Sequence, residues 1–273
     1  MTDHDEEKMG EKNVKKRESK AFLAEIVTKA EDTKKRLSKV YRSYEFDVTG
    51  QSNAKRSEGF VYQMGKMKGR LTFPAHMSGF GTGGVVWTGG IALAKCLEHW
   101  GDSMIRGKRV LELGAGSGLV GLVARCLGAK RVVLTDLPDV LPIIRANVEH
   151  NRDTVSQYCA DDGAKGAGIR ISPLIWGKTK LDEFEGQFDC ILASEVIYES
   201  IHAELLIGVL RKLVSPSCTA VVSFDLRGRV GVKEFISTAP KFFHFRSIGE
   251  SEWHGDLKGF SHLGIAELRY KEQ

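Results

Sequence analysis

One stretch constrains this chain more than any other: Arg109-Val110-Leu111-Glu112-Leu113-Gly114-Ala115-Gly116-Ser117-Gly118-Leu119-Val120-Gly121-Leu122. An apolar strand runs into three glycines at alternate positions and then into an apolar helix. Glycine is required where a chain turns sharply at a strand end and a ligand lies against bare backbone. The amides at the start of the following helix offer donors to a polar ligand group. The pattern is GxGxG with Leu at position 119, so it lacks the third glycine of a dinucleotide-binding GxGxxG loop. It also lacks the GKS or GKT ending of a phosphate-binding P-loop. Taken alone, such a loop serves equally well as a ligand cradle or as a bare strand–helix turn.

The flanking pattern gives the loop its setting. From Val85 onward, helical and extended periodicities alternate. A helix is predicted over 89–100, a strand over 108–113, a helix over 118–128, a strand over 131–135 and a helix over 138–151. Strands over 169–175 and 187–194 follow, then a helix over 200–213, a strand over 218–224 and a helix over 231–238. Such alternation argues for an α/β fold, a doubly wound, mostly parallel sheet with helices on both faces. The last two segments, 241–249 and 262–270, read as strands with no helix between them and are expected to close the sheet as an antiparallel pair. The strand Arg131-Val132-Val133-Leu134-Thr135-Asp136 places a carboxylate at its carboxyl end. In a doubly wound sheet an acid there accepts hydrogen bonds from both ribose hydroxyls of a nucleoside. Asp also caps helices and turns, and the two roles are compatible.

The N-terminal part differs in character. Residues 1–19 are almost all charged or small and are expected to be disordered. Phe22, Leu23, Ile26, Val27 and Ala30, then Leu37, Val40 and Tyr41, recur at helical spacing over 20–44. Tyr44, Phe46 and Val48 alternate, and Phe60, Tyr62, Met64 and Met67 follow among glycines. One or two hairpins and a glycine-rich loop over 79–84 are predicted there. The expected organisation is a charged tail (1–19), a helix and β-hairpin extension (20–80) and a main α/β domain (81–273).

Composition excludes several classes. The 273 residues, 42% hydrophobic, suffice for one sizeable core. No apolar run approaches the roughly 20 residues of a membrane helix, and no apolar signal segment is seen. A cytoplasmic protein is expected, and a nuclear pool is compatible with the sequence. A net charge of +5 is too modest to demand nucleic acid. Cys96, Cys126, Cys159, Cys190 and Cys218 form no CxxC pair, and the histidines form no HxxxH or HExxH spacing. No metal site and no disulfide framework are expected.

Four blocks in this order resemble the protein-lysine methyltransferases of the seven-β-strand class, methyltransferase family 16, methyltransferase-like 21 group. They are Gly84-Val85-Val86-Trp87-Thr88-Gly89-Gly90-Ile91-Ala92-Leu93-Ala94, the glycine loop, and Thr135-Asp136-Leu137-Pro138 with Asn147 and Asn151. The fourth joins Leu174-Ile175-Trp176-Gly177 to Phe188-Asp189-Cys190-Ile191-Leu192-Ala193-Ser194-Glu195-Val196-Ile197-Tyr198. The resemblance covers residues 80–225. It implies a Rossmann-like class I fold with a seven-stranded sheet, S-adenosylmethionine as cofactor, and a lysine of a protein as methyl acceptor.

The resemblance also implies roles. Trp87 is expected beside the methionine end of the cofactor, with Gly114, Ala115 and Gly116 along its amino-acid and ribose parts. Asp136 is expected on the ribose, Leu137 and Trp176 by the adenine, and Ser194 at the strand end against the cofactor. Glu195 and Tyr198 match the family's acidic-x-x-Tyr signature, although the family more often has Asp at the first position. They are expected at the mouth of a lysine channel, the acid attracting the ammonium and the tyrosine walling the channel. Family relatives modify chaperones, ATPases and translation elongation factors, which makes such proteins the expected partners of a monomeric enzyme. Two other readings compete. One is a methyltransferase for a small molecule or nucleic acid, against which stands the lack of an Asn/Asp-Pro-Pro-aromatic motif after Ser194. The other is a catalytically silent cofactor-binding module. The segment Asp225–Arg229 at a strand end is placed to meet an acidic surface, or simply to be solvated.

Overall fold

The computed structural model describes residues 60–65, 69–74, 83–158, 168–227, 229–257, 259–260 and 262–272. The predicted tail and the helix over 20–44 lie outside the described residues, as do Met67 and Cys159. Within them the chain begins with an antiparallel hairpin, β1 (Phe60–Gln63) and β2 (Arg70–Phe73), in which Phe60 faces Phe73. Then follow α1 (Thr88–Trp100), α2 (Asp102–Ile105), β3 (Arg109–Leu113), α3 (Leu119–Cys126), β4 (Arg131–Asp136), α4 (Leu141–His150), α5 (Arg152–Gln157) and β5 (Ile169–Pro173). The second half adds β6 (Cys190–Ser194), α6 (Ser200–Leu213), β7 (Thr219–Asp225), α7 (Val230–Thr238), β8 (Phe243–Ser247) and β9 (Leu263–Tyr270).

Seven strands form one sheet in the order β5-β4-β3-β6-β7-β9-β8. The neighbours from β5 to β7 are parallel, and β9 is antiparallel to both β7 and β8. The closing pair is therefore antiparallel as expected, with β9 inserted between β7 and the edge strand β8. Val110 to Leu113 of β3 and Cys190 to Ala193 of β6 are buried without alternation, as expected of central strands covered on both faces. From β3 the chain winds outward through β4 to β5, then returns to place β6 on the other side of β3. That reversal opens a crevice at the carboxyl ends of β3 and β6, where ligands bind in open α/β sheets.

Two predicted boundaries shift for local reasons. The helix expected over 138–151 starts at Leu141, because Leu137 to Val140 close a turn through Val140 N–H donating to the Leu137 carbonyl. Pro142, in the first turn, needs no intrahelical donor there. The strand expected from 187 starts at Cys190. Ahead of it the Asp189 carboxylate accepts from the Arg109 backbone N–H (2.8 Å) and guanidinium (2.7 and 3.1 Å), which fixes β6 beside β3.

Side chains tie the hairpin to the sheet's helices. The Glu98 carboxylate on α1 accepts from the Tyr62 hydroxyl (2.6 Å) and the Gly65 N–H (2.8 Å). Asn151, between α4 and α5, copies a strand partner: its Oδ1 accepts from Thr72 N–H (2.7 Å) and its Nδ2 donates to the Thr72 carbonyl (2.9 Å). Helix α3 lies close on the sheet because Gly121 carries no Cβ; one there would collide with Leu134 and the Glu112 carboxylate.

Candidate active site

The glycine loop forms the base of the site. Gly114, Gly116 and Gly118 all take positive φ (66°, 52° and 80°), the left-handed region that only glycine occupies without strain. The turn is locked at its base: Ala115 N–H donates to the Thr135 carbonyl (2.9 Å) and Gly118 N–H to the Ala115 carbonyl (2.7 Å). At Gly114, space as well as torsion excludes a side chain. A Cβ on Gly114 would lie 2.6 Å from Val196 Cγ1 and 3.9 Å from Trp176, and one on Gly116 would lie 3.4 Å from the Gly83 carbonyl. The loop thus forms a bare-backbone floor with Trp176, Val196 and Gly83 around it.

Asp136 organises the neighbouring strand end. Its Oδ2 accepts from Gly116 N–H (2.8 Å) and its Oδ1 from Leu137 N–H (2.7 Å). Each oxygen keeps a second lone pair for a further donor. Burial raises the affinity of this carboxyl for its proton, and the two amides partly offset that. Leu137, next in sequence, is 51% exposed, an apolar side chain left uncovered beside the acid. Beneath the loop, Glu112 is 1% exposed, and its Oε2 accepts from the Gly121 N–H (2.8 Å). Its burial pushes the pKa up to about 8, against the Gly121 hydrogen bond and with a push from Asp136.

The opposite wall comes from β6 and α1. Trp87 is the residue preceding α1, half-buried, and its carbonyl accepts the Ile91 N–H (3.1 Å). Gly89 and Gly90 open the helix, and each faces a residue at the end of β6. Gly89 N–H donates to Glu195 Oε1 (3.1 Å), and a Cβ on Gly90 would lie 3.5 Å from Ser194 Oγ. Ser223 on β7 joins them: its hydroxyl donates to the Gly89 carbonyl (2.9 Å), and its carbonyl accepts Glu195 N–H (2.8 Å).

Glu195 departs from the expected channel mouth. It is 3% exposed, turned inward onto the start of α1. It is also the one non-glycine among the described residues with positive φ, 50°, a strained conformation of the kind stored at functional sites. Burial raises its pKa, while the nearby Arg229 charge and the Gly89 amide oppose the rise. Tyr198 lies further along, half-buried, with the His202 ring against its edge at 5.5 Å and the Arg229 guanidinium over its face at 5.0 Å.

The structure therefore gathers Trp87, Gly114, Ala115, Gly116, Asp136, Trp176, Ser194 and Glu195 around the β3–β6 crevice, with Leu137 at its rim. Sequence reading gives no site role to Gly83 or Ser223, places Gly89 only within a resembling block, and takes Arg229 only as part of a strand-end segment placed to meet an acidic surface or to be solvated. Gly89 and Gly90 carried a usable signal, since two glycines inside a helix cost about 1 kcal/mol each relative to alanine. Among the described residues no cluster of metal-binding side chains occurs and no helix is long and apolar enough to cross a membrane.

The fold is that of the class I methyltransferases. Residues 66–242 match the lysine methyltransferase family, and the chain belongs to that family. It is 36% identical over 148 residues to protein N-lysine methyltransferase METTL21A of Danio rerio, covering 54% of this chain and 62% of that one. It is 32% identical over 170 residues to EEF1A lysine methyltransferase 3 of Mus musculus, covering 61% and 66%. These matches span less than two thirds of either relative's length. Among solved structures, the T. Thermophilus 16S rRNA N2 G1207 methyltransferase (RsmC) in complex with AdoMet and guanosine superposes with a TM-score of 0.51. It covers 78% of this chain and 50% of that one at 16% identity, a likeness of fold alone.

Proposed function

We propose that this protein is an S-adenosylmethionine-dependent methyltransferase that modifies a lysine side chain of a protein substrate. The observation that carries the reading is the joining of two half-sites. Asp136 holds the glycine loop through Gly116, and Glu195 holds the start of α1 through Gly89. The side-chain-free backbone of Gly114 and Gly116 suits the close approach of an extended ligand, and Asp136 retains lone pairs for a ribose. Gly114, Ala115, Gly116 and Asp136 would hold the cofactor's amino-acid and ribose parts, Leu137 and Trp176 its adenine, and Trp87 and Ser194 its methionine end. The bound cofactor supplies an activated methyl group on a sulfonium.

The protein's own work is then position and environment. Holding an amine in line at about 3–3.5 Å accounts for much of the acceleration in such a transfer. The amine must first lose its proton, since a free lysine has a pKa of about 10.4. Partial burial and nearby positive charge both favour the neutral amine. Glu195, turned inward, fixes the Trp87–Gly89 segment against the end of β6 and so positions the reaction chamber, and Tyr198 walls the amine's approach. The names of the relatives support a protein acceptor, and a chaperone, ATPase or translation elongation factor is the class of partner we infer.

The test is incubation of the purified protein with radiolabelled S-adenosylmethionine and a cell lysate, beside Asp136→Ala. Discrete, protease-sensitive labelled bands that vanish with the variant, with methyl-lysine in their hydrolysate, are expected. Label confined to nucleic acid or small molecules would overturn the protein-lysine reading.

A further inference from the structure

Tyr198 is held from two sides by residues that are themselves immobilised. On its edge, His202 is fixed by a reciprocal cap at the start of α6. The His202 Nδ1 accepts the Glu199 N–H (3.1 Å), and the Glu199 carboxylate accepts the backbone N–H of His202. An Nδ1 that accepts must be unprotonated, and burial lowers the His202 pKa, which keeps it so. On the face of the ring, Arg229 immediately precedes α7, whose first turn packs tightly against Glu199. Gly231 is pressed against the Glu199 carbonyl so closely that any Cβ there would collide with it. The helix that carries Arg229 and the helix that follows Tyr198 are thus keyed together at Glu199 and Gly231.

The electrostatics around Arg229 match a positioning role. Its Nη1 is buried and makes no hydrogen bond, an arrangement that a buried guanidinium tolerates where an aromatic face takes the charge instead. The carboxylates near it are otherwise engaged. Asp225 is gripped by Arg227 through two guanidinium nitrogens (2.7 and 3.0 Å) and its backbone N–H (2.8 Å). Glu195 is bonded to Gly89 N–H, and the Arg229 charge acts on it without an ion pair. Beside Arg229, Leu226 and Val230 are 43% and 60% exposed, so this corner opens to solvent, where a protein substrate would arrive.

We propose that Arg229 is a positioning residue, fixing the Tyr198 ring so that the acceptor lysine is held in line; this rests on the protein-lysine methyltransferase reading. A lysine contributes little of a protein substrate's binding, so loss of its alignment reads in turnover and leaves affinity nearly unchanged. Replacing Arg229 by Met keeps the length and apolar stem but removes the cation. Replacing it by Lys returns a cation that can sit over the ring without the planar fork.

Two measurements test this. First, full-length protein labelled with meta-fluorotyrosine is followed by fluorine NMR, the Tyr198 signal among the six tyrosines being assigned with Tyr198→Phe. In R229M that signal is expected to shift and narrow as the ring is released, with the other signals unmoved, and R229K is expected to return it part-way. Second, initial labelling rates are taken over a dilution series of the lysate, with cofactor affinity measured by calorimetry. R229M is expected to lower the plateau rate about tenfold, with half-saturation and cofactor affinity within about twofold of wild type, and R229K to recover part of the rate. An unmoved Tyr198 signal, or a wild-type plateau rate, would overturn the proposal. So would a fall in cofactor affinity and melting temperature together, because that marks a folding role. If wild-type protein labels no lysine, the proposed function fails on its own account, and the fluorine measurement still decides whether Arg229 holds Tyr198.

Discussion

Gly89 and Glu195 approach so closely that a methyl group on the former would lie 2.5 Å from Cγ of the latter, while the Gly89 N–H donates 3.1 Å to Oε1. One contact joins the start of α1 to the end of β6, the two elements that flank Trp87 and Ser194. Gly89→Ala is therefore expected to displace the glutamate. Calorimetric scanning should show a stability loss of about 1–3 kcal/mol, the range for overpacking a filled core. Methyl transfer should fall about tenfold or more even at temperatures where the variant is folded. Glu195→Gln keeps the acceptor for Gly89 N–H and removes the charge. Its turnover at saturating substrate separates a positioning acid, which retains most of the rate, from one whose charge is needed.

Asp136 holds the loop through Gly116 N–H, and in the proposed function it would bind the cofactor's ribose as well. Asp136→Ala leaves the Gly116 and Leu137 amides without their acceptor and is expected to weaken cofactor binding by about 10- to 100-fold, or about 1.4–2.8 kcal/mol. Asp136→Asn can accept with only one of its two side-chain atoms, so it should fall between wild type and the alanine variant. Titration calorimetry with S-adenosylmethionine and with its demethylated product reads the order directly.

Glu112 predicts a pH dependence of stability. Its pKa rises from the ordinary 4.5 to about 8 in the folded protein. A raised carboxyl pKa means that the folded state binds the proton more tightly than the unfolded chain. The contribution is complete below about pH 4.5 and is lost as pH climbs through about 8. Glu112→Gln mimics the protonated acid and still offers an oxygen to Gly121 N–H. Denaturation from pH 5 to 8 should show the wild type losing stability relative to this variant, with the gap widening as pH rises. Parallel curves would mean that Glu112 has an ordinary pKa.

Asn151 predicts that the hairpin depends on one side chain. Asn151→Ala removes both hydrogen bonds to Thr72 and the bond from Nδ2 to the Asn147 carbonyl (2.8 Å). A cost of about 2–3 kcal/mol is expected from urea unfolding. Hydrogen exchange should quicken in β2 while β3 and β6 keep their protection. Asn151→Asp, which cannot donate to the two carbonyls, should be no better.

Much of this was legible in the residues alone, for identifiable reasons. The strand β3, its loop and α3 form a contiguous stretch whose apolar runs and glycines report local geometry, and the positive φ values of Gly114, Gly116 and Gly118 follow from those residue types. The depth of Glu195 was not legible. Whether an acid after a strand faces solvent or folds inward depends on what stands opposite, and Gly89 lies far away in sequence. The same holds for Ser223, which looks like an ordinary interruption of an apolar strand until its hydroxyl meets the Gly89 carbonyl. The pairing of Arg229 with Tyr198 escaped for a related reason: two helix starts must first be brought together by Gly231 and Glu199. Residue types announce turns and faces, while contacts across the crevice wait for the sheet order.

The insertion of β9 between β7 and β8 sets pairing order against synthesis order. Strand β8 leaves the ribosome before β9, and its ladder partners, such as Tyr270 for Phe243 and Ala266 for Ser247, are translated later. Until then β7 also lacks the neighbour that Ile265 and Ala266 provide to Ser223 and Val222. A nascent chain that has emitted β8 but not β9 therefore leaves the buried, largely apolar edge of β7 unpaired and β8 without its ladder partner, the condition that favours pairing with the wrong chain. Completion of this half of the sheet is thereby deferred to the arrival of β9, and Ser223, which anchors Gly89 and Glu195, sits on the strand that waits for it.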